Sequence, residues 1–388
     1  MNKVEEEIKN RVEKIKNGLI KWYRFFHQYP EPGFEEFKTS EKIQSLLKRF
    51  KIPYQIKAKT GVVGYLKGKG EKTIGIRADM DALPIEEKNS LPYKSKNKGF
   101  MHACGHDGHM AILLGVIKIL SEMKNSLNTN IKFIFQPSEE KPPGGAKKMV
   151  EEGVIDGVDY LLGYHLLSIL PFKKIWIGKG PVMANTDLFK IKVKGKGGHG
   201  SAPHLTDDPI TCSSYLISSL QTIVSRRIDP LVPSVISIGK ISGGNAFNVI
   251  PDEVEILGTV RTLSEETREK VKKEIENIVE KICLSFNCRG EVDYNEYSPV
   301  CINNKFLSER IIEITKKHYK KNLIEFHPIM GGEDFAFFSQ KVPSCYIFIG
   351  IGKNCGSHHS PTFKIDERIL PFAVKYLISV VQSLSEYL

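Results

Sequence analysis

Short apolar runs alternate along this chain with segments that carry the apolar spacing of amphipathic helices. The runs are 61–66, 73–78, 131–136, 160–164 and 345–350, and the helical segments are 4–28, 39–50, 108–123 and 144–152. This alternation is typical of a parallel sheet, because parallel strands need long crossover connections. The pattern predicts an α/β domain with a mainly parallel sheet and helices on both faces.

The middle of the chain has a different rhythm. Strand patterns at 188–194, 234–241, 253–261 and 290–297 are interleaved with helical patterns at 208–226 and 264–286. The order β-α-β-β-α-β is that of a ferredoxin-like α+β domain. We therefore predict that residues 186–297 form a small inserted domain, and that residues 1–185 and 298–388 are the two halves of a larger one.

The composition is that of an ordinary soluble globular protein with room for two domains: 388 residues, 41% hydrophobic and 26% charged. The longest apolar runs are far too short to cross a bilayer, and the charged N-terminal segment has no stretch of signal-peptide type. The seven cysteines lack the spacing of a disulfide framework, which favours reduced thiols. We therefore expect a cytoplasmic protein that does not bind a membrane.

The net charge of +11 comes mainly from lysines spread along the whole sequence. Nucleic-acid sites usually cluster such charge or interleave it with aromatic residues, and the chain has no recognisable motif of that kind. A solvated basic surface is the simpler interpretation, and its field would favour anionic substrates. We therefore expect no nucleic-acid partner, and a basic nucleic-acid-binding protein is kept only as a distant alternative.

The densest polar cluster is at residues 101–109, which read MHACGHDGH and open directly into an apolar helical segment. Thiolate and imidazole are ligands that borderline-soft divalent metals prefer. A helix N-terminus downstream lowers the pKa of a thiol such as Cys104. The Cys-x-His spacing of Cys104 and His106 also suits an extended segment, whose alternate side chains point the same way. The cluster is therefore interpreted as a metal site rather than as core packing.

Four other polar sets lie at or shortly after the C-terminal ends of predicted strands. They are ADMDAL at 78–83, QPSEE at 136–140, GYH at 163–165 and SHHSP at 357–361. Any one of them could be a satisfied buried polar group. The adjacent Glu139 and Glu140 repel each other, so in a crevice they need a cation or different protonation states. Because ligands bind beyond the carboxyl ends of parallel strands, the shared location predicts a single crevice.

These segments resemble a known superfamily, as do GGHG at 197–200, NVIP at 248–251, GEDF at 332–335 and HSP at 359–361. It is the aminoacylase and carboxypeptidase superfamily of co-catalytic metallohydrolases. The closest branch comprises bacterial N-acyl-amino-acid amidohydrolases, hippurate hydrolases and plant auxin-conjugate hydrolases. The match runs in order over nearly the whole chain. It departs at 141–145, which reads KPPGG and is one residue longer than the family pattern, at the expected pocket rim.

The resemblance implies two divalent metal ions per subunit, with Zn, Mn, Co or Ni as candidates. The implied metal ligands are Cys104, which bridges the ions, and His106, Glu140, His165 and His359. His106 and Glu140 either complete one shell together or divide between the two ions. His359 is preferred to His358 because it directly precedes a Ser-Pro dipeptide, as the ligand of the family does. Asp81 is implied as a residue that orients a ligand without binding metal.

The same resemblance assigns the remaining roles. Glu139 is the expected general base. His199, in the inserted domain, is expected to stabilise the oxyanion in the active site of a partner subunit, which makes that domain a lid and dimerisation domain. The protein is then a homodimer or a dimer of dimers. Asn248 and the backbone of Gly331 and Gly332 are candidates for binding the substrate.

The expected activity is hydrolysis of an N-acyl amino acid, with an acetyl, benzoyl or similar acyl group, to a carboxylic acid and a free amino acid. A hydroxide shared by the ions attacks the acyl carbonyl. A carboxypeptidase or dipeptidase of the same fold, acting on short peptides, is the nearest alternative because its chemistry is identical. A non-catalytic metal- or ligand-binding protein is a further alternative. Glu139 speaks against it, because metal binding needs only Glu140 of the pair.

Overall fold

The computed structural model describes residues 3–142 and 144–387, so Pro143 in the KPPGG loop lies outside the described residues. The helices are α1 Lys3–Gln28, α2 Phe37–Arg49, α3 His106–Glu122, α4 Gly145–Glu151, α5 Pro209–Thr222, α6 Glu265–Ser285, α7 Lys305–Tyr319, α8 Ala336–Ser339 and α9 Ile369–Tyr387. The strands are β1 Tyr54–Lys57, β2 Gly61–Leu66, β3 Thr73–Asp79, β4 Asn130–Gln136, β5 Tyr160–Leu167, β6 Ile175–Ile177, β7 Gly180–Met183, β8 Thr186–Lys194, β9 Gly198–His199, β10 Ser234–Ser242, β11 Val249–Ile250, β12 Glu253–Thr262, β13 Arg289–Ser298, β14 Cys301–Asn303 and β15 Ser344–Gly350.

The chain packs into two compact units. Unit 1 consists of Met1–Gly180, Ile302–His327 and Asp334–Leu388, and unit 2 of Pro181–Cys301 and Pro328–Glu333. The sequence pattern assigned residues 328–333 to the larger domain, and this differs from the structure. Their backbone explains the difference. The N–H of Ile329 donates to the carbonyl of Val182 at 3.1 Å, and the N–H of Ala184 donates to the carbonyl of Gly331 at 2.9 Å.

Unit 1 is built on a seven-stranded sheet in the order β1-β2-β4-β3-β5-β15-β6. The central strands β4, β3, β5 and β15 pair in parallel, whereas β1, β2 and β6 pair antiparallel. Strands β3 and β15 are buried along their whole length, which requires cover on both faces of the sheet. The expected mainly parallel sheet is thus a mixed sheet with a parallel centre and antiparallel edges.

Helix α3 lies in the core of unit 1, packed between α1 and α9 and against β3. Nearly all of its residues are buried, which explains why its apolar residues are not confined to one stripe. Close packing requires Gly115 in this helix, because a Cβ there would lie 2.5 Å from Leu19 and 2.8 Å from Val374. Within the described residues, no helix combines the length and the apolar character needed to cross a membrane.

Unit 2 has a four-stranded antiparallel sheet in the order β10-β12-β8-β13. Its elements follow the chain as β8-α5-β10-β12-α6-β13, the order predicted for the middle of the sequence. Every second residue of β8 and β12 is buried, so one face of the sheet lies against α5 and α6. The helix predicted to run to residue 226 ends at Thr222. A π-helical segment follows, closed by the N–H of Ile228 donating to the carbonyl of Ile223.

Candidate functional site

The side chains singled out in the larger domain lie at one edge of the unit 1 sheet. Strands β3, β4, β5 and β15 run parallel, so their C-terminal ends meet there. The strand ends and loops at this edge carry Asp81, Glu139, Glu140, His165 and His359. The segment before α3 reaches the same edge, since the N–H of His359 donates to the carbonyl of Ala103 at 2.9 Å. The fold therefore brings residues from five distant segments into one crevice.

Two sets of metal-binding atoms share the thiol of Cys104. In one set, the donor atoms of Cys104, His106 and His165 lie within 4.8 Å of one another. In the other, those of Cys104, Glu140 and His359 do so. Such sulfur, nitrogen and oxygen donors suit borderline-soft divalent metals, and a thiolate common to both sets can bridge two ions. His106 belongs to the first of these sets and Glu140 to the second, and a third set joins both residues to Glu139.

His165 presents a bare ring nitrogen to Cys104. Its Nδ1 donates to the carbonyl oxygen of Leu166 at 2.9 Å, and its Nε2 lies 3.4 Å from Sγ of Cys104. Burial, aided by the neighbouring His109, holds the pKa of His165 well below its usual value, so the ring is neutral. A neutral imidazole fixed through Nδ1 offers the lone pair of Nε2 to a metal.

Two buried atoms of the crevice, Nε2 of His106 and Oε1 of Glu140, have no hydrogen-bond partner among the residues that the structure describes. They lie 3.9 Å apart. The other nitrogen of His106 donates to the carbonyl oxygen of Asp81 at 2.9 Å, which turns Nε2 towards the crevice. Buried polar atoms without a partner are rare and need an explanation. Divalent cations fit this donor set, because they would supply a partner to both atoms.

The crevice carries an excess of negative charge. Burial, together with the charges of Glu140 and Glu139, raises the pKa of the Cys104 thiol well above its usual value, so the lowering predicted from the helix N-terminus is wrong. Burial alone would lower the pKa of His106, but Asp79 and its neighbouring carboxylates raise it to about 10. Both groups therefore hold protons at neutral pH unless a cation compensates the carboxylates. Metal binding at this site would release those protons.

Two of the three imidazoles in the MHACGHDGH segment do not belong to either set. The nitrogens of His109 are both engaged, since Nδ1 lies 2.6 Å from Asp79 and Nε2 accepts the N–H of Leu166 at 2.9 Å. His109 is thus a structural residue, although its donor atom lies within 4.8 Å of those of Asp79 and His106. His102 is fully buried, and burial lowers its pKa to about 4.

The adjacent histidines after β15 face different partners. The N–H of Ser168 donates to Nε2 of His358 at 3.1 Å, so Nδ1 of His358 carries the hydrogen and points it at Sγ of Cys104, 3.8 Å away. His359 has a positive φ of 61°, which directs its Nε2 to within 3.3 Å of Oε1 of Glu140. The geometry therefore favours His359 over His358 as a metal-binding nitrogen, the choice made from the sequence.

Asp81 holds the turn that presents the two glutamates. Its Oδ1 accepts the N–H of Glu139 and its Oδ2 accepts the N–H of Glu140, each at 3.0 Å. The donor atoms of Glu139, Glu140 and His106 lie within 4.8 Å of one another. Asp81 also touches His106 through its own carbonyl, so one residue fixes groups on both sides of the crevice. The sequence predicted an orienting role for Asp81 but not this pair of hydrogen bonds to the turn.

In unit 2, His199 and Asn248 lie next to each other. His199 is in β9 and Asn248 directly precedes β11, and the N–H of Gly200 donates to the carbonyl of Asn248 at 2.8 Å. The side chain of His199 is exposed, and its Nδ1 accepts the N–H of Ser201 at 3.1 Å. In the neutral ring, Nε2 therefore carries the hydrogen and is a donor. This is the tautomer that could stabilise a developing oxyanion.

Gly331 and Gly332 also belong to unit 2. The carbonyl of Gly331 accepts the N–H of Ala184, as described above, so its backbone is engaged there. A Cβ at Gly332 would lie 1.9 Å from Oγ1 of Thr186 and 2.8 Å from Arg261, which leaves room only for glycine. The structure thus distributes the predicted site residues between the units. The five predicted metal ligands and Glu139 lie in unit 1, and His199, Asn248 and the two glycines lie in unit 2.

Comparison with known proteins identifies the family of this chain. The sequence model of the Peptidase family M20/M25/M40 matches residues 75–383. Thermostable carboxypeptidase 1 of Saccharolobus solfataricus is 42% identical over 374 residues, which cover 94% of this chain and 95% of that protein. N-acetyl-L-cysteine deacetylase of Bacillus subtilis is 41% identical over 365 residues, which cover 94% and 87%.

A solved structure of the same family has the same fold. It is the YXEP protein of Bacillus subtilis, described as a dinuclear metal binding peptidase from the M20 family. It matches with a TM-score of 0.86 at 34% identity and covers 97% of this chain and 100% of that chain. The family model spans most of the chain, and the relatives align over nearly its whole length. The chain therefore belongs to the Peptidase family M20/M25/M40.

Proposed function

We propose that the protein is a metal-dependent amidohydrolase that cleaves an N-acyl amino acid to a carboxylic acid and a free amino acid. The observation that carries this proposal is the pair of donor sets that share Cys104 and lie beside Glu139. A purely structural metal site is closed by its ligands and needs no additional carboxylate. The relatives include enzymes named for deacetylation of N-acetylcysteine and for hydrolysis of N-acyl amino acids, which supports the same class of substrate.

Cys104 would bridge two ions, with His106 and His165 on one side and Glu140 and His359 on the other. When bound, such ions polarise the acyl carbonyl and make a water acidic enough to act near neutral pH. The thiolate favours Zn, while Mn, Co and Ni accept the same donors, so these four are the candidate metals.

Glu139 would act as the general base. Its backbone is fixed by Asp81, and its carboxylate lies in the same crevice as His106 and Glu140. It accepts the proton of the attacking water as the water adds to the acyl carbon. It then passes that proton to the departing amine nitrogen, so that the amino acid leaves as a neutral amine. The carboxyl product keeps the acyl group.

Unit 2 would act as a lid and a dimerisation domain, corresponding to the predicted domain at 186–297. His199 is exposed and offers its Nε2–H, which suits it to bind the carbonyl oxygen as negative charge develops there. By the family resemblance, His199 does so in the active site of a partner subunit, so the protein is a homodimer or a dimer of dimers. Asn248, beside His199, and the backbone of Gly331 and Gly332 would hold the carboxylate or the carbonyl of the substrate.

The seven cysteines are free thiols, which fits the proposed location in the reducing cytoplasm.

A second function, carboxypeptidase or dipeptidase activity, is favoured by one specific observation. The relative with 42% identity over 94% of the chain is named a carboxypeptidase. Both reactions break an amide bond next to a free carboxylate, so the metal centre serves either one. The shape of the acyl pocket would decide between them.

Amine release from a panel of substrates tests the proposal. The panel contains N-acetyl and N-benzoyl amino acids and short peptides, incubated with chelator-stripped enzyme to which Zn, Mn, Co or no metal is restored. Metal-dependent release from the acyl amino acids is expected. Release from peptides alone would assign the carboxypeptidase function. No release from any substrate by an enzyme with both metals bound would contradict the catalytic proposal.

A further inference from the structure

Three consecutive backbone N–H groups, those of residues 138–140, donate to buried carboxyl groups. Asp81 accepts two of them, as described above. The third, from Ser138, donates to Oε1 of Glu36 at 2.8 Å. Glu36 belongs to a different part of the chain, at the start of α2, and its side chain is fully buried. The turn that presents Glu139 and Glu140 is therefore held from two sides.

Glu36 is not needed by its own helix. It is the N-cap residue of α2, but its side chain makes no capping hydrogen bond. Glu31 instead accepts the first-turn N–H groups of that helix. Burial and the charge of Asp81 raise the pKa of Glu36 to about 7, so this place is unfavourable for a carboxylate. Beyond the turn, its second oxygen accepts the hydroxyl of Thr60 at 2.6 Å.

The residue that Glu36 holds is strained. Ser138 has a φ of +50°, in the left-handed region that residues other than glycine seldom occupy. Its backbone carbonyl accepts the N–H of Gly145 at 2.8 Å. The chain just before Glu36 also packs closely against Ser138, because a Cβ on Gly33 would lie 2.5 Å from Oγ of Ser138. Strained backbone of this kind persists only where its surroundings hold it.

We propose that Glu36 is a positioning residue, which through Ser138 fixes the strained turn and so sets the place of the Glu139 carboxylate. The inference rests on the proposed function, because a general base such as Glu139 must be held in a fixed position. Without Glu36, Ser138 can relax towards ordinary φ values and shift the peptide that leads into Glu139. A misplacement of about 1 Å costs roughly 100-fold in rate. Asp81 still holds Glu140, so metal content should change little.

The test compares Glu36→Ala with Glu36→Gln. Alanine removes the acceptor of the Ser138 N–H. Glutamine keeps an oxygen for Ser138, and its amide can donate to the hydroxyl of Thr60. Gly33→Ala, which pushes on Ser138 directly, is an independent second variant. Glu35→Ala, at the exposed neighbouring position, is the matched control.

A stability control separates positioning from folding. Leu384 is buried in α9, so Leu384→Ala should lower Tm without touching the turn. Measured at a temperature where all variants are folded, kcat for an N-acyl amino acid should fall by about 10-fold to 100-fold in Glu36→Ala. Glu36→Gln should recover most of this loss, and KM should stay nearly constant. The two control variants should keep the kcat of the parent enzyme.

Hydrogen exchange of the peptide 137–142 provides a readout that is independent of activity. In Glu36→Ala, the amide hydrogen of Ser138 should exchange at least about tenfold faster than in the parent enzyme. In Glu36→Gln, its protection should be restored. Unchanged protection in Glu36→Ala would overturn the inference, whatever the activity. Lost protection with unchanged kcat would also overturn it. An inactive parent enzyme would count against the proposed function. The exchange data would still test whether Glu36 fixes the turn.

Discussion

Nε2 of His165 lies 3.4 Å from Sγ of Cys104, while Nδ1 of the same ring is tied to a backbone carbonyl. This contact joins two segments more than sixty residues apart in the chain. Because the ring is neutral and carries its hydrogen on Nδ1, Nε2 is free to bind a metal ion beside the thiol. The same thiol reaches Glu140 and His359 on its other side. The account of the site depends on this shared position of Cys104.

Removal of the shared thiol should deplete the metal. We expect Cys104→Ser to lose at least one of two ions per subunit, because a hydroxyl is a far weaker bridging ligand than a thiolate. Elemental analysis after dialysis measures the content. Cys355→Ser is the matched control, since a hydroxyl can replace the bond from Cys355 to the carbonyl of Ile351. Full metal retention in Cys104→Ser would rule out bridging.

Neutralising Glu139 should separate chemistry from metal binding. We expect Glu139→Gln to keep its metal and to lose about 100-fold to 10,000-fold in kcat, the usual contribution of a general base. The neighbouring Glu140→Gln should instead lose metal, because Oε1 of Glu140 belongs to a donor set. Turnover and metal content are measured on both variants. Near-normal turnover in Glu139→Gln would disprove its role as base.

Metal affinity should strengthen as the pH rises. In the absence of metal, the surrounding carboxylates hold the pKa of His106 at about 10, so a proton must leave before Nε2 can bind an ion. Between pH 6 and 8 we therefore expect the apparent affinity to rise about tenfold per pH unit for each proton displaced. Calorimetry in buffers of different ionisation enthalpy counts those protons. A flat affinity over this range would mean that no ligand is protonated beforehand.

A buried histidine next to the site should make stability depend on alkaline pH. Burial opposes the charge of His27, but hydrogen bonds to Asp107 and Glu87 raise its pKa to about 9. Below about 6.5, the unfolded value, His27 is protonated in both states and its stabilisation is complete. The stabilisation is lost as the pH rises through 9, because the folded state then loses its proton too.

The free energy of unfolding of the parent should exceed that of His27→Gln by about 3 kcal/mol more at pH 6 than at pH 10. Thermal or urea unfolding of both proteins at each pH, with the same metal content, measures this difference. Other titrating groups affect both proteins and cancel. A constant difference across the range would show that His27 is not charged in the folded state.

Mixed dimers should reveal whether His199 works across subunits. We expect His199→Ala and Glu139→Gln to be nearly inactive alone. Mixed together after subunit exchange, they should regain part of the activity, because one site of the heterodimer then has an intact Glu139 and an intact partner His199. Amine release before and after exchange is the measurement. No recovery despite proven exchange would assign His199 to its own subunit.

Much of unit 1 could be predicted, because the central strands are mainly apolar runs and four of the polar sets lie at or shortly after the end of one. Strand β1 could not, since its residues at the sheet edge are mostly exposed and form no apolar run. The same holds for strands of two to four residues, such as β9 and β11, which are too short for a periodicity. Residues 328–333 pair with unit 2 through backbone hydrogen bonds, which leave no sequence pattern.

The candidate site divides in the same way. Residue types and the resemblance predict Cys104 and its partners, including His106, as metal ligands. They do not show why His109 is left out, because one of its nitrogens is occupied by the N–H of Leu166, which is distant in the chain. Glu36 gave no signal either. It lies in a glutamate-rich segment, and only the folded chain shows that its carboxyl group is buried against Ser138.

In the proposed function, two ions held around Cys104 support amide hydrolysis. The most direct test is to titrate chelator-stripped enzyme with metal and to follow amine release from an N-acetyl amino acid. We expect no turnover without metal and full turnover only as the second equivalent per subunit binds. Turnover by metal-free enzyme, or a maximum reached at one equivalent with no further binding, would contradict it.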